Sequence, residues 1–250
     1  MARSILITGG SSGIGEALAL EFARRGDSVA VGARRVERLE ALARKLTALG
    51  APRVLALPLD VTDMDSIESA LDRTVQVFGR IDVVVVNAGV GYSLPVGKGR
   101  FDEIRQTLET NLTGAIATIE CALPRLRDQG GGQIVVVTSV ASLRGLPFMG
   151  AYSAAKAGLH RYVQSLRAEV SHEPLTVTEL VPGYIDTDMN RSVPNRPFVI
   201  PVERGAAIMA RMIERGVGRR YVPMWPWMFV APLLRVLPTR WLAPRRRQQR

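Results

Sequence analysis

Ser4-Ile5-Leu6-Ile7-Thr8-Gly9-Gly10-Ser11-Ser12-Gly13-Ile14-Gly15 begins as a short apolar run, stops on glycines and passes directly into helical spacing. Ile14, Ala17, Leu18 and Phe22 recur at intervals of three and four, so Gly13 to Arg25 reads as a helix with one apolar face. A strand, a glycine turn and a helix in that order let the backbone approach a pyrophosphate, whose charge is favoured by free N–H groups at the helix start. Local geometry alone can also demand glycines in such a turn, so the reading needs support from the rest of the chain.

That support begins with alternation. Strands are expected at 28–32, 54–57, 83–86, 133–138 and 176–181, and helices at 36–49, 63–78, 101–127, 152–171 and 202–215. Strands so uniformly apolar are buried on both faces, as in a parallel sheet covered by helices. The fold class is α/β: a Rossmann-like, doubly wound parallel sheet in three α/β/α layers, with a cofactor crevice at its carboxyl edge.

With 47% apolar and 22% charged residues, the 250-residue chain is neither disordered nor a polytopic membrane protein. Its one cysteine, Cys121, cannot form an internal disulfide, and MARSILITGG is too short in apolar residues for a secretory leader. A cytoplasmic location is the expectation. The net charge of +10 is unevenly placed: beyond Gly216 there is no acidic residue but there are eight arginines. The rest holds 25 basic against 23 acidic residues, so the basicity belongs to the tail. Trp225, Trp227 and Trp241 lie there too, which marks a boundary near Val222 between a catalytic unit, 1–222, and an extension, 223–250.

The glycine spacing of the first turn, T-G-x-x-x-G-x-G, resembles the short-chain dehydrogenase/reductase family, and later segments match that family in order. Leu59-Asp60-Val61 is similar to its adenine-contacting segment, Asn87-Ala88-Gly89 to its N-A-G element, and Tyr152-Ser153-Ala154-Ala155-Lys156 to its Y-x-x-x-K motif. Pro182-Gly183 and Thr187 match its P-G-x-x-x-T segment, and the likeness spans roughly residues 3 to 222. Val86 stands where many members carry a first asparagine, a departure of small consequence because Asn87 is retained. The resemblance implies catalytic roles for Asn111, Ser139, Tyr152 and Lys156. It implies cofactor contacts from Gly9, Ser11, Ser12, Gly13, Ile14, Gly15, Asp60, Val61, Asn87, Ala88, Gly89, Pro182, Gly183, Ile185 and Thr187, together with Tyr152 and Lys156. A homodimer or homotetramer is also implied.

These residues suit reduction of a ketone, which needs hydrogen-bond donors at an oxygen developing negative charge and finally a proton. Tyr152 and Lys156, four apart on a helix, share one face, so the ammonium is expected to lower the phenol pKa. Ser139 would bond the carbonyl, with Ser142 a rival better suited to a loop contact, and Asn111 would hold a water linked to Lys156. His160 and His172 fall outside the motifs and read as structural or exposed, and no metal cluster is expected. At the end of the second strand Arg34 and Arg35 stand where an acidic residue would favour NAD, so NADP(H) is the preferred cofactor and NAD(H) the alternative.

From Tyr221 to Leu234 the sequence YVPMWPWMFVAPLL has no charge, yet it is too short to span a bilayer and its prolines argue against one long helix. Tryptophan beside arginine suits a membrane interface, at the inner face of a membrane for a cytoplasmic enzyme. Equally, the stretch could pack over the site or against a second subunit, with RRRQQR a solvated end. No nucleic-acid module is recognised, so none is expected as a partner. The 187–201 loop lies where relatives have a mobile lid, and Leu146, Phe148, Met149 and Tyr184 could line an apolar pocket. The expected activity is NADPH-dependent interconversion of a ketone and a secondary alcohol on a hydrophobic substrate. The alternative is a nucleotide-sensing interaction protein that uses the tail to reach a partner.

Overall fold

The computed structural model describes residues 2–191, 193 and 196–242. Seven parallel strands form one sheet: β1 (Ser4–Thr8), β2 (Ser28–Ala33), β3 (Val54–Pro58), β4 (Val83–Val86), β5 (Gly132–Val137), β6 (Leu175–Pro182) and β7 (Arg219–Val222). Their spatial order is β3-β2-β1-β4-β5-β6-β7. The order reverses between β1 and β4, so their carboxyl ends diverge and leave a crevice there. Register is set by apolar residues buried on both faces: Ile5 opposes Val29 on one side and Val83 on the other.

The helices are α1 (Gly13–Arg24), α2 (Val36–Ala48), α3 (Met64–Phe78), α4 (Phe101–Leu108), α5 (Gly114–Asp128), α6 (Gly150–Glu169), α7 (Val202–Glu214) and α8 (Met224–Val236). On one face of the sheet Leu18, Phe22, Leu39 and Met209 pack on Ile5, Ile7 and Val31, and on the other Ile67, Leu71, Ile119 and Leu159 pack on Leu6, Val84 and Val136. Each such side chain, fully buried, stabilises the fold by about 1.5–3 kcal/mol.

Three elements differ from the sequence reading. The single helix expected over 101–127 is broken at Glu109–Thr113 by a π-turn, which contains Asn111 and separates α4 from α5. Periodicity cannot show such a turn, because one inserted residue shifts the helix face without adding glycine or proline. The strand β7 went unread because Arg219-Arg220-Tyr221-Val222 has too little apolar character. Its partner β6 supplies the pairing, Leu180 opposite Arg220 and Pro182 opposite Val222. The prolines of the tail still allow regular helical turns in α8, which is kinked at Trp225. Trp225 is extended (φ −88, ψ 131), so Pro226 falls at the start of the regular turns, where its missing N–H costs nothing, and only Pro232 lies inside.

Over the described residues beyond β7, 223–242, the chain stays on the body. Trp227 is 2% exposed and packs with Val140 and Val181, flanked by Leu143, Tyr184 and Leu234. Its indole lies on Gly183, where a β-carbon would come within 2.1 Å of the indole nitrogen, so a side chain at 183 would expel it. No helix among the described residues is long and apolar enough to cross a membrane. The terminal RRRQQR, residues 245–250, lies outside the described residues, as do three positions of the 187–201 loop.

Candidate active site

At the crevice the first turn is shaped by what lies beneath it. Gly9 has φ +70 and no room for a β-carbon, which would meet the Cα of Ala88 at 2.7 Å. Asn87 holds the two strand ends together: its backbone N–H donates to Thr8 Oγ1 (3.0 Å) and its Nδ2 to the Thr8 carbonyl (3.0 Å). The first asparagine of the family pattern is thus dispensable here, since Val86 sits buried inside β4. No side chain caps the start of α1, so its free N–H groups face the crevice and favour an anion.

A cavity of about 440 Å³ runs along this edge. It is lined by Gly9, Ser11, Ser12, Gly13 and Ile14 at the turn, by Arg34, Arg35, Asp60 and Val61 at one end, and by Tyr152 and Lys156 at the other. Asn87, Ala88, Gly89, Pro182 and Thr187 complete the wall. Gly15, Gly183 and Ile185 do not border it, nor do Asn111 and Ser139 of the expected catalytic set. A β-carbon on Gly15 would meet the Gly9 carbonyl at 2.4 Å, Gly183 lies under Trp227, and Ile185 is buried in the core beside Gly205. Thr138 and Met189, which the sequence reading did not name, do line it. Their only signal was position, one residue before Ser139 and two after Thr187.

Arg35 is held over the turn, its guanidinium donating to Ser11 Oγ (2.9 Å) and Ser12 Oγ (2.7 Å). Arg34 is more exposed and stands 4.0 Å from the Asp60 carboxylate. Asp60 itself accepts from the Thr62 N–H and hydroxyl, at 3.0 and 2.8 Å, which fixes the loop after β3. A tight glycine cradle and an uncapped helix start, with two arginines at one end, together fit the phosphates of a dinucleotide.

At the other end α6 carries Tyr152 and Lys156 on one face. The Lys156 ammonium is buried, donates to the Val137 carbonyl at 2.9 Å, and lies 5.9 Å from the centre of the Tyr152 ring. Burial lowers its pKa to about 8. The Tyr152 phenol, by contrast, is pushed up by burial, with the nearby Ser139 hydroxyl pulling the other way. The expected acidification of the phenol by the ammonium is therefore not seen, because desolvation dominates. Ser139 Oγ accepts from the Ala141 N–H at 3.1 Å and so caps a short turn that fixes its rotamer. Ser142 is buried with an unpartnered hydroxyl in that same turn.

Asn111 is fully buried, and both ends of its amide meet Val90: Oδ1 accepts its N–H and Nδ2 donates to its carbonyl, each at 2.7 Å. The side chain thus fastens the π-turn to the loop after β4, and π-turns recur at functional sites. Behind the site Glu179, with no exposure, accepts from Thr138 Oγ1 (2.9 Å) and His160 Nδ1 (2.8 Å). His160 is the structural histidine that the sequence suggested, but its carboxylate partner was not foreseen.

The model of the short chain dehydrogenase family matches residues 3–197. An uncharacterized oxidoreductase of Mycobacterium tuberculosis is 37% identical over 240 residues, covering 95% of each chain.

The chain belongs to the short-chain dehydrogenase/reductase family.

It is therefore an oxidoreductase of a family that uses NAD(P)(H). Another short-chain relative, 11-beta-hydroxysteroid dehydrogenase 1A of Arabidopsis thaliana, is 36% identical and covers 94% of this chain and 72% of that protein. Among solved structures, an alcohol dehydrogenase from the archaeon Thermococcus sibiricus, complexed with 5-hydroxy-NADP, superposes with a TM-score of 0.80. It is 32% identical, over 88% of this chain and 95% of that one. The short-chain fold and the sheet read from the sequence are thereby both shown.

Proposed function

We propose that this short-chain oxidoreductase is an NADPH-dependent carbonyl reductase, or in reverse an alcohol dehydrogenase, acting on a hydrophobic ketone. The observation that carries the reading is the placing of Tyr152 and Lys156 at one end of a crevice whose other end holds Arg34 and Arg35, with the Ser139 hydroxyl near the Tyr152 phenol. Reduced nicotinamide, when bound, supplies the hydride. The protein supplies the rest. Ser139 and Tyr152 donate hydrogen bonds to the carbonyl oxygen and stabilise the charge that grows on it. Tyr152 stays neutral because its site is desolvated, which suits a donor that must hold its proton until an alkoxide appears. The phenolate left behind is stabilised by the Lys156 charge and regains its proton through that group. Asn111 positions the Val90 loop against α4 and α5 and thereby shapes the back of the site.

The Lys156 value sets a pH limit. Below about 8 the ammonium is charged and supports proton transfer, and above it the charge is lost. For ketone reduction kcat/KM is expected to be flat on the acid side and to fall about tenfold per pH unit beyond that point, since one group titrates. A profile level to pH 10 contradicts the role given to Lys156.

The preference for NADPH is supported by Arg34 and Arg35, both of which border the adenosine end. Arg34→Ala is expected to weaken NADPH binding by about tenfold or more while NADH changes little, as loss of a charge-assisted bond implies. Equal weakening of both cofactors, read by titrating protein fluorescence, overturns the assignment. The apolar substrate class is supported by Val140, Leu143 and Tyr184, which form one cluster with Trp227 beside Ser139. Assembly as a homodimer or homotetramer and residence in the cytoplasm belong to the same proposal.

A further inference from the structure

The helix α8 is apolar on two opposite faces. Trp227, Val230, Ala231 and Leu234 turn inward. Trp225, Met228, Phe229, Leu233 and Val236 turn outward, and Trp225 and Val236 are 72% and 76% exposed. Trp225 and Phe229 stack edge to face at 5.5 Å, so the outward face is an ordered ridge. An exposed apolar surface of this size needs an occupant.

Position ties the ridge to the cavity. Trp227 meets Phe198 of the 187–201 loop edge to face at 5.8 Å, and Phe198 and Val199 are exposed beside it. Met189 of the same loop lines the cavity. On the other flank Arg144, just past the Ser139 turn, donates to the Leu234 carbonyl (2.9 Å) and Thr239 Oγ1 (2.8 Å). The helix is thus clamped between the 187–201 loop, whose Met189 lines the cavity, and the segment just past the Ser139 turn.

Charge identifies the occupant. Arg220, Arg235 and Arg240 are exposed, and the sequence from Val217 to its end holds no acidic residue. A second copy docked on this ridge would bring a second cluster of arginines from a segment that has no carboxylate of its own, while Asp186 and Asp188 of the neighbouring loop are already paired with Arg196 and Arg191. An anionic lipid surface accepts both the tryptophans and the arginines.

We propose that the outward face of α8, with the exposed apolar residues of the 187–201 loop, docks on an anionic lipid surface, and that the hydrophobic ketone reaches the cavity from that surface. This rests on the carbonyl-reductase reading for its substrate, but not for the docking itself.

Flotation of the full chain with phosphatidylglycerol-containing vesicles and with pure phosphatidylcholine vesicles tests it, alongside the double variant Trp225→Ser, Phe229→Ser. Both residues are exposed, and unchanged melting of the variant verifies its fold. The wild type is expected to float with the anionic vesicles in a salt-sensitive manner, and the variant to bind about tenfold less. On a short water-soluble ketone the two proteins should turn over alike, whereas for a long-chain ketone dissolved in vesicles the variant should show a raised KM. Equal flotation of the two overturns the proposal. So does a wild type that ignores vesicles but sediments as a dimer which the variant loses, an outcome that assigns the ridge to a second copy. Absence of turnover on every ketone, with flotation as expected, refutes the reductase reading and leaves the docking standing.

Discussion

Tyr152→Phe is expected to lower kcat for ketone reduction by about 10²–10⁴-fold, the range contributed by a positioned proton donor. The ring remains, so its packing on α6 and along the cavity is kept. Only the hydroxyl near Ser139 is lost. NADPH affinity should stay within about twofold, because the phosphate and adenosine contacts lie at the far end of the crevice. Steady-state rates beside a cofactor titration separate the two effects. A variant that keeps more than about a tenth of the wild-type rate would remove Tyr152 from the proton-transfer step.

Glu179→Ala should be the most damaging change away from the cavity. The carboxylate has no exposure and meets Thr138, His160 and, at 3.4 Å, Arg219. His160 Nδ1 faces both carboxylate oxygens, so it carries the hydrogen, and its Nε2 is buried without a partner. Removing the acid strips Thr138 and His160 of an acceptor and leaves the Arg219 guanidinium without its counter-charge. Breaking a buried ionic contact from one side costs about 3–5 kcal/mol. For a chain of this length that lowers Tm by roughly 10 °C. Differential scanning fluorimetry measures it, and a shift of less than about 2 °C would mean that the network contributes little.

The contrast between these two residues shows what the sequence could tell. Tyr152 and Lys156 were legible because a fixed spacing on a helix carries the chemistry, and the sheet was legible because its strands are apolar throughout. Glu179 sits in the middle of such a strand, where a lone acid has no local pattern. Its meaning depends on Thr138, His160 and Arg219, which lie 41, 19 and 40 positions away in sequence. Asn111 was legible as a residue but its π-turn was not, since the hydrogen-bond shift leaves no compositional trace. In the tail, the tryptophans and arginines stood out, yet only packing divides the apolar residues between an inward face on Gly183 and an outward one. The raised phenol of Tyr152 depends on desolvation, which is a property of the folded site.

Hydride delivery is tested most directly with NADPH deuterated at the transferable C4 position and an apolar ketone, by mass spectrometry of the product. The account predicts an alcohol with one deuterium on the carbinol carbon and a hydroxyl proton drawn from solvent. Consumption of NADPH with no deuterium in the alcohol would contradict it.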